Sequence, residues 1–116
     1  MKSIYLGEWK NKDNLIKNFE IDPSIINNAE ILLAYYDLGS YEGEAFVLLI
    51  RENNLYEVNA SHCSCYELEG QWREEETTKQ SLLHRLEKGN LGTFEYNSKK
   101  YDVFKTKLKE ILDNIK

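Results

Sequence analysis

The chain has 116 residues, 41% of them hydrophobic and 30% charged, a composition that fits one soluble globular domain at residues 1–116. No apolar run approaches the roughly 20 residues of a membrane span, and no linker, repeat or low-complexity stretch interrupts the sequence. The formal charge of −5 conceals a division: from Glu20 to Glu76, thirteen carboxylates stand against two arginines (−11), while the rest of the chain holds thirteen cations and seven carboxylates (+6). Such asymmetry bears on partners and association rates rather than on fold, although oppositely charged faces also serve simply to solvate a surface.

Ile4, Leu6 and Trp9 form a short segment that reads as a strand or a loop packed on the core. Asn11 suits the cap of a helix with Leu15, Ile16 and Phe19 on one side. Asp22-Pro23 opens a second helical piece of at most two turns, ending near Asn27-Asn28. Glu30 to Leu38 is predicted as a strand, Gly39 to Gly43 as a turn, and Glu44 to Arg51 as a second strand. Its unbroken apolar run, Ala45 to Ile50, marks a central position covered on both faces. Asn53-Asn54 suits a two-residue hairpin into a third strand, Leu55 to Asn59, with Tyr56 and Val58 on one face. Thr77 and Gln80 match a capping box for a helix carrying Leu82, Leu83 and Leu86, which Gly89 closes. Leu91 to Tyr96 reads as a short extra strand. A C-terminal helix is then predicted from Asn97 or Ser98, with Tyr101, Phe104, Leu108, Ile111, Leu112 and Ile115 on its apolar stripe. These elements make an α+β fold: an antiparallel sheet of three to four strands flanked by N- and C-terminal helices.

Scarce residues concentrate in one place. Both cysteines and one of two histidines fall in His62-Cys63-Ser64-Cys65, followed by Tyr66 and Trp72. His62, Cys63 and Cys65 with His84 would supply a zinc set, but one residue between the cysteines is shorter than the usual two to four. A cysteine activated by a histidine is a general nucleophile, yet no thiol-enzyme signature surrounds these, and neighbouring carboxylates disfavour a thiolate. The reading that fits best is recognition without catalysis. Free cysteines pack as small hydrophobes, and Tyr41, Tyr66 and Trp72 serve as interface anchors. Around them Glu42, Glu44, Glu67, Glu69, Glu74, Glu75 and Glu76 supply negative charge. No phosphate cradle is expected at Gly39 to Glu44, where carboxylates replace the lysine such a loop needs.

The run Asp37-Leu38-Gly39-Ser40-Tyr41-Glu42-Gly43, then Ala45 to Leu48, Leu55 to Asn59, Ser61 to Tyr66 and Leu68 to Trp72, resembles a group of small proteins encoded by phages and prophages. With Glu75-Glu76-Thr77 and His84, the resemblance spans residues 37 to 88, and His62 to Tyr66 is its specific part. It implies a context, not a set of functional residues. Small acidic phage proteins often bind a host protein, and host defence nucleases such as CRISPR effectors are frequent targets.

The expected function is therefore an inhibitor of a host nucleic-acid-handling or defence enzyme, docking an acidic central face on a basic protein surface. The alternative is a thiol or zinc protein built on His62, Cys63, Cys65 and His84. The C-terminal lysines Lys99, Lys100, Lys105, Lys107 and Lys109 would give direct nucleic-acid contact. No cofactor and no membrane partner are expected. The N-terminal residues lack the apolar core of a secretory signal, which points to the cytoplasm of an infected or lysogenic bacterium, with reduced thiols.

Overall fold

The structure, a computed structural model, describes residues 3–38, 43–62, 68–89, 91–96 and 98–115. The chain is α+β, and it divides into two compact units, residues 1–76 and 77–116. The division falls beside a charge boundary. The first unit holds fifteen carboxylates and six cations, a balance of −9; the second holds nine cations and five carboxylates, a balance of +4.

In the first unit the strands are β1 (Ile4–Gly7), β2 (Glu30–Leu38), β3 (Gly43–Arg51), β4 (Asn54–His62) and β5 (Glu75–Thr77), whose last residue belongs to the second unit. They hydrogen-bond in sequence order to form one five-stranded sheet. β2, β3 and β4 form an antiparallel meander, whereas β1 runs parallel to β2. The sequence predicts β2 with the bounds found. β1 was ambiguous because four residues carry too little alternation, and pairing with β2 settles it. Ile31 to Ala34 and Ala45 to Leu49 are buried, as a strand apolar on both faces requires. The β3–β4 turn is Glu52-Asn53, one residue earlier than Asn53-Asn54, with φ of 54° and 67°. The register that pairs Val47 with Val58 and Leu49 with Tyr56 carries Glu52 into the left-handed region that Asn53 tolerates well.

Helix α1 (Lys12–Phe19) begins at Asn11, whose side chain accepts the Asn14 N–H. It ends where Glu20 turns left-handed, and it buries Leu15 and Phe19. Pro23–Ile26 is a single 3-10 turn, capped by Asp22 accepting the Ser24 N–H at 2.9 Å. Four aromatic rings join these pieces. Trp9 lies 5.2 Å from Tyr36 on β2 and 5.8 Å from Phe19 on α1, and Phe19 meets Trp72 edge-on at 5.1 Å. The Trp9 indole N–H donates to Asn18 Oδ1 at 2.6 Å, so burying the ring strands no donor.

The second unit holds α2 (Lys79–Lys88), β6 (Thr93–Tyr96), β7 (Lys99–Asp102) and α3 (Lys105–Asp113). The cap of α2 is Thr78, which accepts the Ser81 N–H at 3.0 Å. Adjacent threonines are equivalent in sequence, and Thr77 is taken by β5. Gly89 ends the helix in the left-handed conformation, as expected. The C-terminal helix starts later than its periodicity predicts. Residues 99–102 pair with β6 instead, and Ser98, at φ 64°, sits in the reversal between them. Tyr101 therefore leaves the apolar stripe, and Leu108, Ile111 and Leu112 alone are the buried residues of α3. Lys79 Nζ donates to the Ile115 carbonyl at 2.9 Å, placing a cation at the carbonyl end of α3.

Phe104, at the start of α3, has no capping side chain. The Gly92 carbonyl substitutes, accepting the N–H groups of Val103, Phe104 and Lys105 at 2.9, 3.1 and 3.2 Å. That approach needs glycine. Gly92 has φ of 76°, and a Cβ there would lie 2.9 Å from the Lys105 backbone. Gly92→Ala is expected to cost about 1–3 kcal/mol, read as a lower urea midpoint in chemical denaturation; an unchanged midpoint would show that the contact relaxes freely. Trp9→Ala, which empties the centre of the aromatic group, should cost about 3–5 kcal/mol in the same assay.

Candidate binding surface at one end of the sheet

Strand register determines which charges meet. Asp37 on β2 stands directly opposite Glu44 on β3, and Glu44 stands opposite Ser61 on β4. Paired residues of an antiparallel ladder project to the same face, so the two carboxylates are neighbours on it. Both are exposed. Tyr35 shares that face, and its phenol is pushed up to about 12, first by burial and then by the charges of Asp37 and Glu44. Like charges set directly opposite oppose folding.

Other acidic residues gather at the same end. β1 runs parallel to β2, so its exit at Gly7 lies beside Tyr36, and the exposed Glu8 follows, its N–H donating to the Tyr36 carbonyl at 2.8 Å. Gln71 behaves as a further strand partner for β4. Its side-chain nitrogen Nε2 donates to the Ser61 carbonyl at 2.7 Å, and its side-chain oxygen Oε1 accepts the Ser61 N–H at 3.1 Å. This pins the turn from Leu68 to Gln71, in which Leu68 is buried and Glu69 exposed. By backbone position Glu8, Asp37, Glu44 and Glu69 thus stand along the end of the sheet where β1 and β2 end, β3 begins and β4 finishes.

The opposite end of the meander also carries exposed carboxylates, Glu30 at the start of β2 and Glu52 in the β3–β4 turn, but there an arginine is present among them. Arg51 Nε and Nη2 donate to the two Glu74 carboxylate oxygens at 3.1 and 3.0 Å. Arg51 also donates to the Ile25 carbonyl at 2.7 Å, and the Trp72 indole N–H donates to Glu74 Oε2 at 3.0 Å. A forked ion pair with a third donor fastens the segment before β5 to the 3-10 turn.

The predicted binding residues separate accordingly. Glu44 and Glu69 lie in the acidic region, while Glu75 and Glu76 are exposed on β5, the edge strand beside β4. Glu74 is committed to Arg51. Trp72 is half-buried, with its ring against Phe19 and its N–H on Glu74, so it acts as a packing residue and not as a free anchor. Glu57, within the predicted acidic stretch, is only 5% exposed and accepts a hydrogen bond from Asn59. Tyr41, Glu42, Cys63, Cys65, Tyr66 and Glu67 lie outside the described residues. His62 is described only through its backbone, as the last residue of β4 opposite Gly43. His84 is exposed on α2 in the second unit. Among the described residues no group of three His, Cys, Asp or Glu side chains is arranged to hold a metal ion. No described helix is long and apolar enough to cross a membrane.

Asp37 and Glu8 were not among the predicted binding residues. For Asp37 the predicted turn misleads: pairing symmetric about Gly39–Gly43 would set Leu38 opposite Glu44, whereas the observed register sets Asp37 there. Glu8 had none, because the parallel pairing of β1 is invisible locally. No protein-family model, curated protein or solved structure matches the chain.

The Tyr35 phenol should titrate near pH 12 in the folded protein when followed by ultraviolet absorbance, and Asp37→Asn should lower that midpoint. Because the folded value lies above the ordinary 10, stability should be intact below pH 10 and fall as pH rises toward 12. A midpoint near 10 in the folded protein would contradict the arrangement. In a double-mutant cycle, Arg51→Met and Trp72→Phe should be non-additive by about 0.5–3 kcal/mol, since both groups bind one carboxylate; strict additivity would deny the shared contact.

Proposed function

We propose that this protein is a binding module that inhibits a host nucleic-acid-handling or defence enzyme, of which a CRISPR effector is one kind. It docks the acidic end of its sheet on a basic surface that normally holds phosphates. The observation that carries this reading is the Asp37–Glu44 pair. A fold gains nothing from facing two carboxylates across neighbouring strands, and the arrangement makes sense when a cationic partner relieves it. Glu8 and Glu69 enlarge the same region, and Gln71 holds the Glu69 turn to β4. The resemblance to small phage and prophage proteins supports an anti-defence role inside an infected bacterium. The charge balance of −9 in the first unit supports fast, salt-sensitive association.

Immobilised protein should retain a nucleic-acid-handling protein from host lysate at low salt and release it at high salt. Retention of no such protein would refute the proposal. With the captured partner in hand, Asp37→Lys with Glu44→Lys should slow association about tenfold or more, with a smaller effect for Glu75→Lys with Glu76→Lys. Equal association rates for all variants would remove the acidic end as the docking surface.

A further inference from the structure

The second unit differs from the first in sign and in what it exposes. Its balance is +4, and one of its aromatic rings stands in solvent. Among the described residues, Ile25 and Tyr101 are the exposed large hydrophobics, and Tyr101, at 50%, is the more exposed. Tyr101 is on β7, beside a cleft of about 410 Å³ open to solvent within this unit. Lys88 from the end of α2 and Lys105 from the start of α3 line the same cleft, together with Thr93 on β6. Two carboxylates also reach it, Glu87 and Asp102. Asp102 accepts from the Thr106 hydroxyl and N–H, and these bonds hold its carboxyl below the usual carboxylate range, so it stays charged and the positive excess comes from the unit around the cleft. Lys99, two residues before Tyr101 on β7, is exposed as well.

We infer that this cleft is a binding surface for single-stranded nucleic acid, in which a base stacks on Tyr101 while Lys88 and Lys105 hold the flanking phosphates. Combining an exposed ring with cations along a groove is how proteins hold a single strand without reading its sequence. A duplex keeps its bases stacked on one another and gives the ring nothing to cover. An anionic membrane needs an apolar face to insert, but the apolar residues of α3, Leu108, Ile111 and Leu112, are buried. The inference is independent of the acidic end of the sheet and survives or fails without it.

The test is fluorescence anisotropy of a labelled single strand, roughly ten nucleotides long, titrated with the full chain. The same sequence as a duplex and vesicles containing phosphatidylserine serve as competitors. Binding at low salt should weaken about 20-fold between roughly 50 and 200 mM salt if about three phosphates are contacted. Tyr101→Ala should weaken it about tenfold. Lys88→Glu and Lys105→Glu should each weaken it further than Lys10→Glu, a change in the first unit, and Glu87→Gln should tighten it. Circular dichroism checks that each variant folds, which is expected because these positions are exposed or half-buried. Absence of binding at low salt, a Tyr101→Ala variant that binds as well as the parent, or vesicles that displace the strand better than unlabelled single strand would each overturn the inference.

Discussion

One register governs the first unit: the pairing of β2 with β3 that sets Asp37 opposite Glu44. The apolar residues on one face of these strands enforce it. Ala34, Tyr36, Ala45, Val47 and Leu49 all lie in the buried cluster, and sliding either strand by one residue would carry them out of it. The hydrophobic core therefore dictates where the charges sit, and the repulsion between them is small beside what holds the register. The same constraint raises the Tyr35 phenol, because its ring is partly buried on the face that carries both carboxylates.

That register also gives the two ends of the meander different characters. At one end Arg51 neutralises Glu74 and closes on the 3-10 turn through Ile25. At the other, Glu8, Asp37, Glu44 and Glu69 remain at the surface. A stretch that is predominantly acidic along the sequence thus places one carboxylate, Glu74, in a forked ion pair and leaves others exposed at both ends of the meander, Glu30 and Glu52 at one and Asp37 and Glu44 at the other. The second unit carries the opposite charge balance.

Much of this fold was legible in the sequence wherever the signal was local. The Asn11 cap, the Asp22-Pro23 start, the bounds of β2, the apolar run of β3 from Ala45 to Ile50 and the Gly89 stop follow from the residues at those positions. What was not legible depended on distant pairing. β1 is a strand because β2 lies beside it, and residues 99–102 are a strand because β6 does, although Tyr101 and Phe104 fit a helical stripe by spacing alone. The candidate site was half legible. The acidity of residues 20 to 76 could be read along the chain, but not that Glu74 would be claimed by Arg51 or that Trp72 would turn inward against Phe19.

The most direct test of the central claim needs no partner. Paramagnetic relaxation of assigned backbone amides, measured with cationic and anionic probes, reads the electrostatic potential residue by residue. The cationic probe is expected to relax the amides of Asp37, Glu44 and Ser61 strongly, and those of Arg51, Asn54 and Glu74 far less. Equal relaxation at the two ends of the sheet would show that the negative potential is not concentrated where β2 meets β3, and the docking surface derived from it would fall.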